Sequence, residues 1–394
     1  MKTLEKEGLV RIIVLLEPSA SLQDYESKYL PLLTKYLDPD DYDISVIGSR
    51  AGMKCFSGMK VKKRAISFAL SSTSGVSLVI GYALYLAASF IALMKETKRT
   101  GAQILMSLGG HSYSGLLVTI VGGLLQRKSI VRFAGPTRET IRIRYKIGFL
   151  YSALAKVIED WVFPRCSALV SNSPISVYMD KKQVHTEIIS QGVDIEKFRC
   201  QDSSPYINVS PGLITIARLS KEKRILNIIK SLLELSGKYH EIRLDIIGDG
   251  PERENLESIS SKLGLNNKVK FHGYIKQSDL PSLMSSADVF ILPSAKESLP
   301  SAMLEAMACQ IPVIASKRWI DNLLEFKNRE NVLTCDGSPE GIADAVIEIL
   351  DDDDLRRRLI RNAYQTIESY HTIDAARFKF RKMVAGLLIS YETQ

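Results

Sequence analysis

The sequence predicts an α/β protein of two doubly wound domains, on three observations: its length, an alternation of strand-like and helix-like segments through the first half, and a restart of that alternation after Pro205. A chain of 394 residues that is 45% hydrophobic and 24% charged holds enough apolar material for two cores of ordinary size.

In the first half, residues 10–16 read as a strand, 22–36 as a helix and 42–47 as a strand after the polar turn Asp38-Pro39-Asp40-Asp41. Further strands fall at 104–107, 129–133 and 168–171, with helices between them. The apolar run 12–16 is too short for a secretory signal and no clean small-residue cleavage pattern follows it, so a first buried strand is expected. Residues 66–94 hold no charge, and 76–94 have the length of a membrane span. Ser77, Gly81 and Ser89 dilute that run, and positive residues flank both ends, so a buried or membrane-touching helix is expected ahead of a spanning one.

The second half restarts with a strand at 212–217, a helix at 225–235 with an apolar stripe, and a strand at 243–248 that ends in Gly248-Asp249-Gly250-Pro251. A helix at 252–263, a strand at 269–272, a short helix at 280–285, a strand at 289–292, a helix at 303–309 and a strand at 312–315 follow. The polar stretch 199–208 reads as the linker, which divides the chain into 1–200 and 201–374, and the last helix, within 375–394, can pack on either domain and is the candidate to complete the first. The acidic run Asp351 to Asp354 precedes an Arg-rich first turn and reads as a helix start rather than a metal site.

Composition excludes some classes. Five cysteines (Cys55, Cys166, Cys200, Cys309 and Cys335) are scattered, odd in number and without a CxxC pair, which argues against a disulfide framework or structural zinc and for a reducing compartment. Residues 1–200 carry 27 Lys+Arg against 17 Asp+Glu, a net +10, while 201–394 carry 25 against 27, a net −2. Residues 51–150 alone hold 15 basic and 2 acidic residues, a +13 block that attracts an anionic partner such as phospholipid, a lipid diphosphate or nucleic acid, or else forms a solvated basic face. Arg132, Arg138, Arg142, Arg144 and Lys146 form its densest cluster, fit for a membrane or a lipid diphosphate, although Arg142 and Arg144 also fit a solvated loop.

The chemistry concentrates between Leu292 and Ser316. A buried strand delivers the chain to the sheet edge at Pro293, a loop carries Glu297, and a helix begins at Leu299-Pro300-Ser301, with Glu305 a turn further on. Free amides at a helix start favour a diphosphate, and nearby carboxylates accept hydrogen bonds from sugar hydroxyls. Each glutamate alone also fits a solvated surface position. Ala217-Arg218-Leu219-Ser220-Lys221-Glu222-Lys223 closes a strand, and Arg218 and Lys223 can converge across that turn on a leaving diphosphate. Gly248 and Gly250 are weak signals alone, since any strand-to-helix turn uses glycine.

These residues resemble the family 4 glycosyltransferases of the GT-B fold, in which two doubly wound Rossmann-like domains face each other across a cleft. The family's donor site is marked by two glutamates separated by seven residues, the spacing of Glu297 and Glu305, within a matching frame of Pro293-Ser294, Ala306-Met307-Ala308 and Pro312-Val313. The resemblance covers residues 185–350 well, from Gln191-Gly192-Val193-Asp194 onward, and the first half loosely. It implies that Glu297 contacts the transferred sugar, that Glu305 holds the ribose hydroxyls, and that Arg218 and Lys223 neutralise the diphosphate. Gly248 and Gly250, with Tyr274 and Ile275 of Phe271-His272-Gly273-Tyr274-Ile275, then look like the loops around the base, and Leu299, Pro300 and Ser301 lie on the donor. In the first half, Gly109-Gly110-His111-Ser112 follows a strand and opens a helix, which would place His111 at the acceptor, or as a structural histidine.

The chain departs from that family at Glu17-Pro18-Ser19-Ala20-Ser21, where a paired-glycine loop is usual, and at Arg132-Phe133-Ala134-Gly135, where a histidine is often found. Gln310 replaces a usual glycine, and Lys317-Arg318-Trp319-Ile320 a glycine-rich loop. The implied reaction is transfer, with retained configuration, from a nucleoside diphosphate sugar (UDP-sugar first, GDP-sugar next) to a lipid-linked or glycan hydroxyl in polysaccharide or glycoconjugate synthesis. No metal or other cofactor and no nucleic-acid partner is expected, and the expected place is cytoplasmic, peripheral at the inner membrane face on anionic lipid. A nucleotide-sugar 2-epimerase and a noncatalytic nucleotide-sugar-binding subunit are the rival readings.

Overall fold

The computed structural model describes residues 9–16, 30–50, 52–56, 58–66, 76–108, 112–133, 148–172, 186–199 and 210–392. They divide into two compact units, Met1–Gln191 with Ala376–Gln394, and Gly192–Ala375.

The first unit is built on strands β1 (Val10–Leu15), β2 (Tyr42–Ser49), β3 (Lys62–Ile66), β4 (Ile104–Ser107), β5 (Lys128–Phe133), β6 (Ala168–Ser171) and β7 (Thr186–Ile188). They form one sheet in the order β3-β2-β1-β4-β5-β6-β7, and every pairing is parallel. Side chains alternate between its faces. Ile12, Val14, Ile104 and Met106 point into one core with helix α1 (Leu30–Tyr36), while Ile13, Leu15, Leu105 and Val131 point into another under α2 (Val76–Thr100), α3 (Ser112–Leu124) and α4 (Gly148–Val162). Residues 76–94 of the uncharged segment thus belong to α2, a helix of 25 residues that buries Tyr85 and Leu93 against the sheet, and 67–75 lie outside the described residues. No helix of the described residues is long and apolar enough to cross a membrane.

The second unit runs β8 (Gly212–Ile216), α5 (Ile225–Lys238), β9 (Arg243–Ile247), α6 (Arg253–Lys262), β10 (Val269–Gly273), α7 (Leu280–Met284), β11 (Val289–Leu292), α8 (Ser301–Ala308), β12 (Val313–Ser316), α9 (Lys317–Ile320), β13 (Leu333–Cys335), α10 (Pro339–Asp351) and α11 (Asp353–Thr366). Its parallel sheet has the order β10-β9-β8-β11-β12-β13. Asp352 caps α11 by accepting from Leu355 N at 2.9 Å, so the acidic run is a helix start. A π-helical turn (Ile367–His371) leads to α12 (Ile373–Glu392), which packs on the first unit. There the Phe380 ring stacks on Tyr36 at 5.9 Å, and Arg377 pairs with Asp38 at 3.1 Å.

The junction falls at 191/192, ahead of the expected 200/201. The reason is hydrogen bonding: Val193 N donates to His371 O at 2.7 Å and Ile373 N to Val193 O at 3.2 Å, which tie the segment after Gly192 to the second unit. Strands β3, β7 and β13 are additions to the sequence reading. All but one residue of β3 are exposed, and β7 and β13 have three residues each, so ladder pairing rather than apolar periodicity defines them.

Candidate functional site

In the second sheet, β8 lies between β9 and β11, so the chain order reverses between β8 and β11. Ligands of open parallel sheets bind beyond the carboxyl ends of the strands at such a reversal. The loop after β8 carries Arg218 and Lys223, and the loop after β11 carries Glu297. These segments, distant in sequence, meet there: Lys223 Nζ lies 2.5 Å from Glu297 Oε1, with the two side chains 21% and 12% exposed. Ala295 N donates to Glu222 O at 2.7 Å, a backbone tie between the same two loops.

The β8 loop is held from several sides. Arg224 follows Lys223 in the left-handed region at φ 53°, and its guanidinium donates to Asp336 O at 3.1 Å, while Asn227 donates to Gly337 O at 2.7 Å. Burial pushes the Glu222 carboxyl up, but the Ser220 hydroxyl, a backbone amide and the charges of Lys223 and Arg218 outweigh it and leave it below its ordinary range. Arg218 itself is exposed at the end of β8, with its charge close enough to act on Glu222.

Gly248 and Gly250 have a structural reason that needs no ligand. A Cβ on Gly250 would stand 2.3 Å from Leu219 O, and one on Gly248, at φ +125°, would stand 2.0 Å from Ala217 O. The β9 turn therefore lies directly on the loop that presents Arg218, and Leu219 N donates to Asp249 O at 3.0 Å.

Glu305, on α8, is 5% exposed and accepts from Gln277 Nε2 at 2.5 Å. Pro300 precedes α8 in extended conformation and no side chain caps the helix start. Leu299 is buried ahead of α8, and Ser301 opens the helix half-buried. Tyr274 is 63% exposed, and Ile275 is partly buried against the core that holds the side chains of β11 and α8. Ser294 and Ser316, at the carboxyl ends of adjacent strands β11 and β12, hold buried hydroxyl oxygens with no hydrogen-bond partner among the described residues.

The structure thus brings together Arg218, Lys223, Glu297, Gly248 and Gly250, with Glu305 on the helix that follows the Glu297 loop. His111, Arg138, Arg142, Arg144 and Lys146 lie outside the described residues. Arg132 is a correction: it is 3% exposed on β5 and donates to Asn172 Oδ1 at 3.3 Å, so it belongs to no surface patch. Sequence reasoning passed over Gln277 as the partner of Glu305, and Arg224, Asn227 and Gly337 as braces. Only Gly337, at φ +82°, left a legible signal, a lone glycine before a helix.

Residues 207–366 match the family described as Glycosyl transferases group 1. This chain carries a glycosyl transferases group 1 domain. That domain lies within the second unit and contains Arg218, Lys223, Glu297 and Glu305. Over 167 residues the chain is 30% identical to alpha-D-kanosaminyltransferase of Streptomyces kanamyceticus, covering 42% of this chain and 43% of that protein. Over 182 residues it is 29% identical to the lipopolysaccharide core biosynthesis glycosyltransferase LpsE of Rhizobium meliloti (strain 1021), covering 45% of this chain and 50% of that protein. The chain therefore spans about half the length of these curated relatives.

The fold likeness runs further than the sequence likeness. Anabaena Alr3699/HepE, solved in complex with UDP and glucose, superposes with a TM-score of 0.70 at 15% identity, over 95% of this chain and 99% of that one. Sucrose-phosphate synthase of Thermosynechococcus elongatus gives 0.72 at 16% identity over 96% and 100%. Both units are thus Rossmann-like α/β folds, matching those of GT-B glycosyltransferase structures.

Proposed function

We propose that the protein is a retaining glycosyltransferase that moves a sugar from a nucleoside diphosphate sugar to a hydroxyl of a lipid-linked or glycan acceptor. The observation that carries this reading is the Lys223–Glu297 pair at the strand-order reversal, an ammonium and a carboxylate held 2.5 Å apart inside a glycosyl transferases group 1 domain. In the reaction the bond between the sugar's anomeric carbon and the diphosphate oxygen breaks, a bond to the acceptor oxygen forms, and the proton of that hydroxyl passes to the departing diphosphate. Negative charge grows on the diphosphate, where Lys223, Arg218 and the first turn of α8 oppose it. Glu297 faces the sugar and the positive charge that develops at its anomeric carbon. Glu305, oriented by Gln277, receives the ribose hydroxyls.

The same cationic groups supply the charge that a divalent ion supplies in other transferases, and the reaction is proposed to be metal-independent. UDP-sugar is the first donor to test, since a GT-B neighbour was solved with UDP, and GDP-sugar the second. The lipopolysaccharide relative supports a polysaccharide or glycoconjugate product, and the basic first half supports a cytoplasmic, membrane-peripheral location on anionic lipid.

A screen of nucleotide sugars, with and without a polyprenyl-phosphate-type acceptor, tests the reading. Release of nucleoside diphosphate by the wild type, lost in Glu297→Ala and Arg218→Ala and unchanged by chelator, is the expected result. Turnover of a nucleotide sugar without diphosphate release would contradict it.

A further inference from the structure

One face of the N-terminal sheet is covered by α2, α3 and α4 packed side by side. The strands they connect are parallel, and each helix returns the chain to the start of the next strand. The three helices therefore run in one direction and end at the same edge of the sheet.

Their inner sides bury Tyr85, Val118, Val121, Ile158 and Val162 in the core. Their outer sides are apolar as well. Leu84 and Ile91 on α2 are 45% and 52% exposed, Leu124 on α3 is 62% exposed, and Leu154, Val157 and Trp161 on α4 are 47%, 65% and 38% exposed. Residues 84 and 91, like 154, 157 and 161, share one side of their helix by spacing. A single exposed apolar residue needs no explanation, but six on three neighbouring helices of one layer make a patch.

The edge where these helices end is cationic. Lys95, Lys98 and Arg99 are exposed on the last turns of α2, and Arg165 is exposed just beyond α4. On the same side as Ile66, the edge strand β3 adds Lys62 and Arg64, both exposed, with Lys62 paired to Asp43 at 2.7 Å. They join the α2 group in one cluster: a 2.5 Å bond from Arg99, then the charges of Arg99, Arg64 and Lys62, hold the Glu96 carboxyl below its ordinary range against the effect of burial. Exposed carboxylate is scarce on this face. Of the acidic residues on the three helices, Glu96 and Glu159 are buried, and Asp160 accepts from Lys156 at 3.2 Å.

We propose that the outer face of α2, α3 and α4, with the edge of β3, docks the protein on an anionic phospholipid surface. Cations at one rim meet the lipid phosphates, while the leucine, isoleucine and valine side chains reach the hydrocarbon boundary and Trp161 sits at headgroup level. An acidic protein would satisfy the rim and leave the apolar stripes in water. The helices lie in the interface, since no helix of the described residues is long and apolar enough to cross it. The assignment rests on the membrane part of the proposed function and does not depend on its donor chemistry.

Cosedimentation of the full chain with phosphatidylglycerol-containing and pure phosphatidylcholine vesicles tests it, alongside acceptor-free nucleotide-sugar hydrolysis in solution. The variants are Ile91→Glu with Val157→Glu, Lys95→Glu with Lys98→Glu, and the control Leu324→Glu, at an 83% exposed residue of the second unit. Wild type and control should partition at least about ten-fold more to the anionic vesicles, less so at high salt, and each double variant should lose that preference with unfolding midpoint and hydrolysis unchanged. Equal partitioning by the double variants, or no preference by the wild type, overturns the proposal. So does loss, in the same variants, of a self-association seen by sedimentation without vesicle binding, which would make the face an interface between copies. A chain that binds vesicles as expected yet hydrolyses no nucleotide sugar would sink the donor reading and leave the docking face standing.

Discussion

The two units share a topology and spend it differently. Each has a parallel sheet whose strand order reverses in the middle, at β1 and β4 in the first and at β8 and β11 in the second. At the second reversal, charged side chains from loops about 74 residues apart in sequence are locked together, and the β9 and β13 loops brace them through Gly248, Gly250 and Gly337. In the first unit the charge lies outside, on β3 and the ends of the covering helices, while Glu96, Arg132 and Glu159 are buried. The lesson is that the second sheet gathers charges at one point, where the proposed anionic donor would sit, and the first spreads them over a surface.

If that contrast is right, the largest effects come from single charges of the second unit. Glu297→Ala or Arg218→Ala should lower transfer by about 100- to 1000-fold while the chain stays folded, checked by diphosphate release and thermal unfolding. Similar losses from charge changes on β3 in a lipid-free assay would erase the distinction.

Gly250→Ala sharpens it next. The added Cβ must move Leu219 and with it the Arg218 loop, costing about 1–3 kcal/mol in unfolding and a further loss of activity without removing any charge. Chemical denaturation with an activity assay reads both effects.

Acid should then separate the units. Glu222, Asp336 and Asp351 in the second unit and Glu96 in the first have carboxyl pKa values lowered by folding; for Asp336 the Ser338 hydrogen bonds are the leading cause and for Asp351 the Lys238 bond. Their stabilisation is full above the ordinary carboxylate range of 3.8 to 4.5 and is lost as pH falls through the lowered values. Among the described residues the second unit holds three of these four carboxyls, and it should lose more. The only two tryptophans, Trp161 and Trp319, fall one in each unit, so a Trp161→Phe protein reports the second by the fluorescence of buried Trp319.

The smallest effect concerns Gln310, which takes φ 59° just after α8, a left-handed conformation that glycine adopts without strain. Gln310→Gly should stabilise the second unit by about 0.5–1 kcal/mol, the relief of strain exceeding the added freedom of the unfolded chain. An unchanged denaturation midpoint would mean the backbone there is not strained.

Much of this was legible because it is local. The buried runs at β1, β4, β6, β8 and β11 announce parallel strands, and the spacing of Glu297 and Glu305 marks a candidate site by resemblance alone. The Lys223–Glu297 pair was not legible as a contact, since only the β8–β11 pairing makes it one. Gln277 was hidden for the same reason, and Arg132 looked like surface charge because its burial comes from β5 lying between β4 and β6 and its partner Asn172 is 40 positions away. Strand β3 escaped notice because an exposed edge strand carries no apolar period.

The most direct measurement is calorimetric titration of UDP and GDP into the wild type, Lys223→Ala and Glu297→Ala. Lys223→Ala should weaken nucleoside diphosphate binding by at least about ten-fold through loss of a charge-assisted contact, while Glu297→Ala, which frees the same ammonium, should bind as tightly as the wild type or tighter and yet transfer sugar about 100- to 1000-fold more slowly. Equal weakening by both substitutions would make the pair a structural strut, and no binding of either nucleotide to the folded wild type would contradict the donor site altogether.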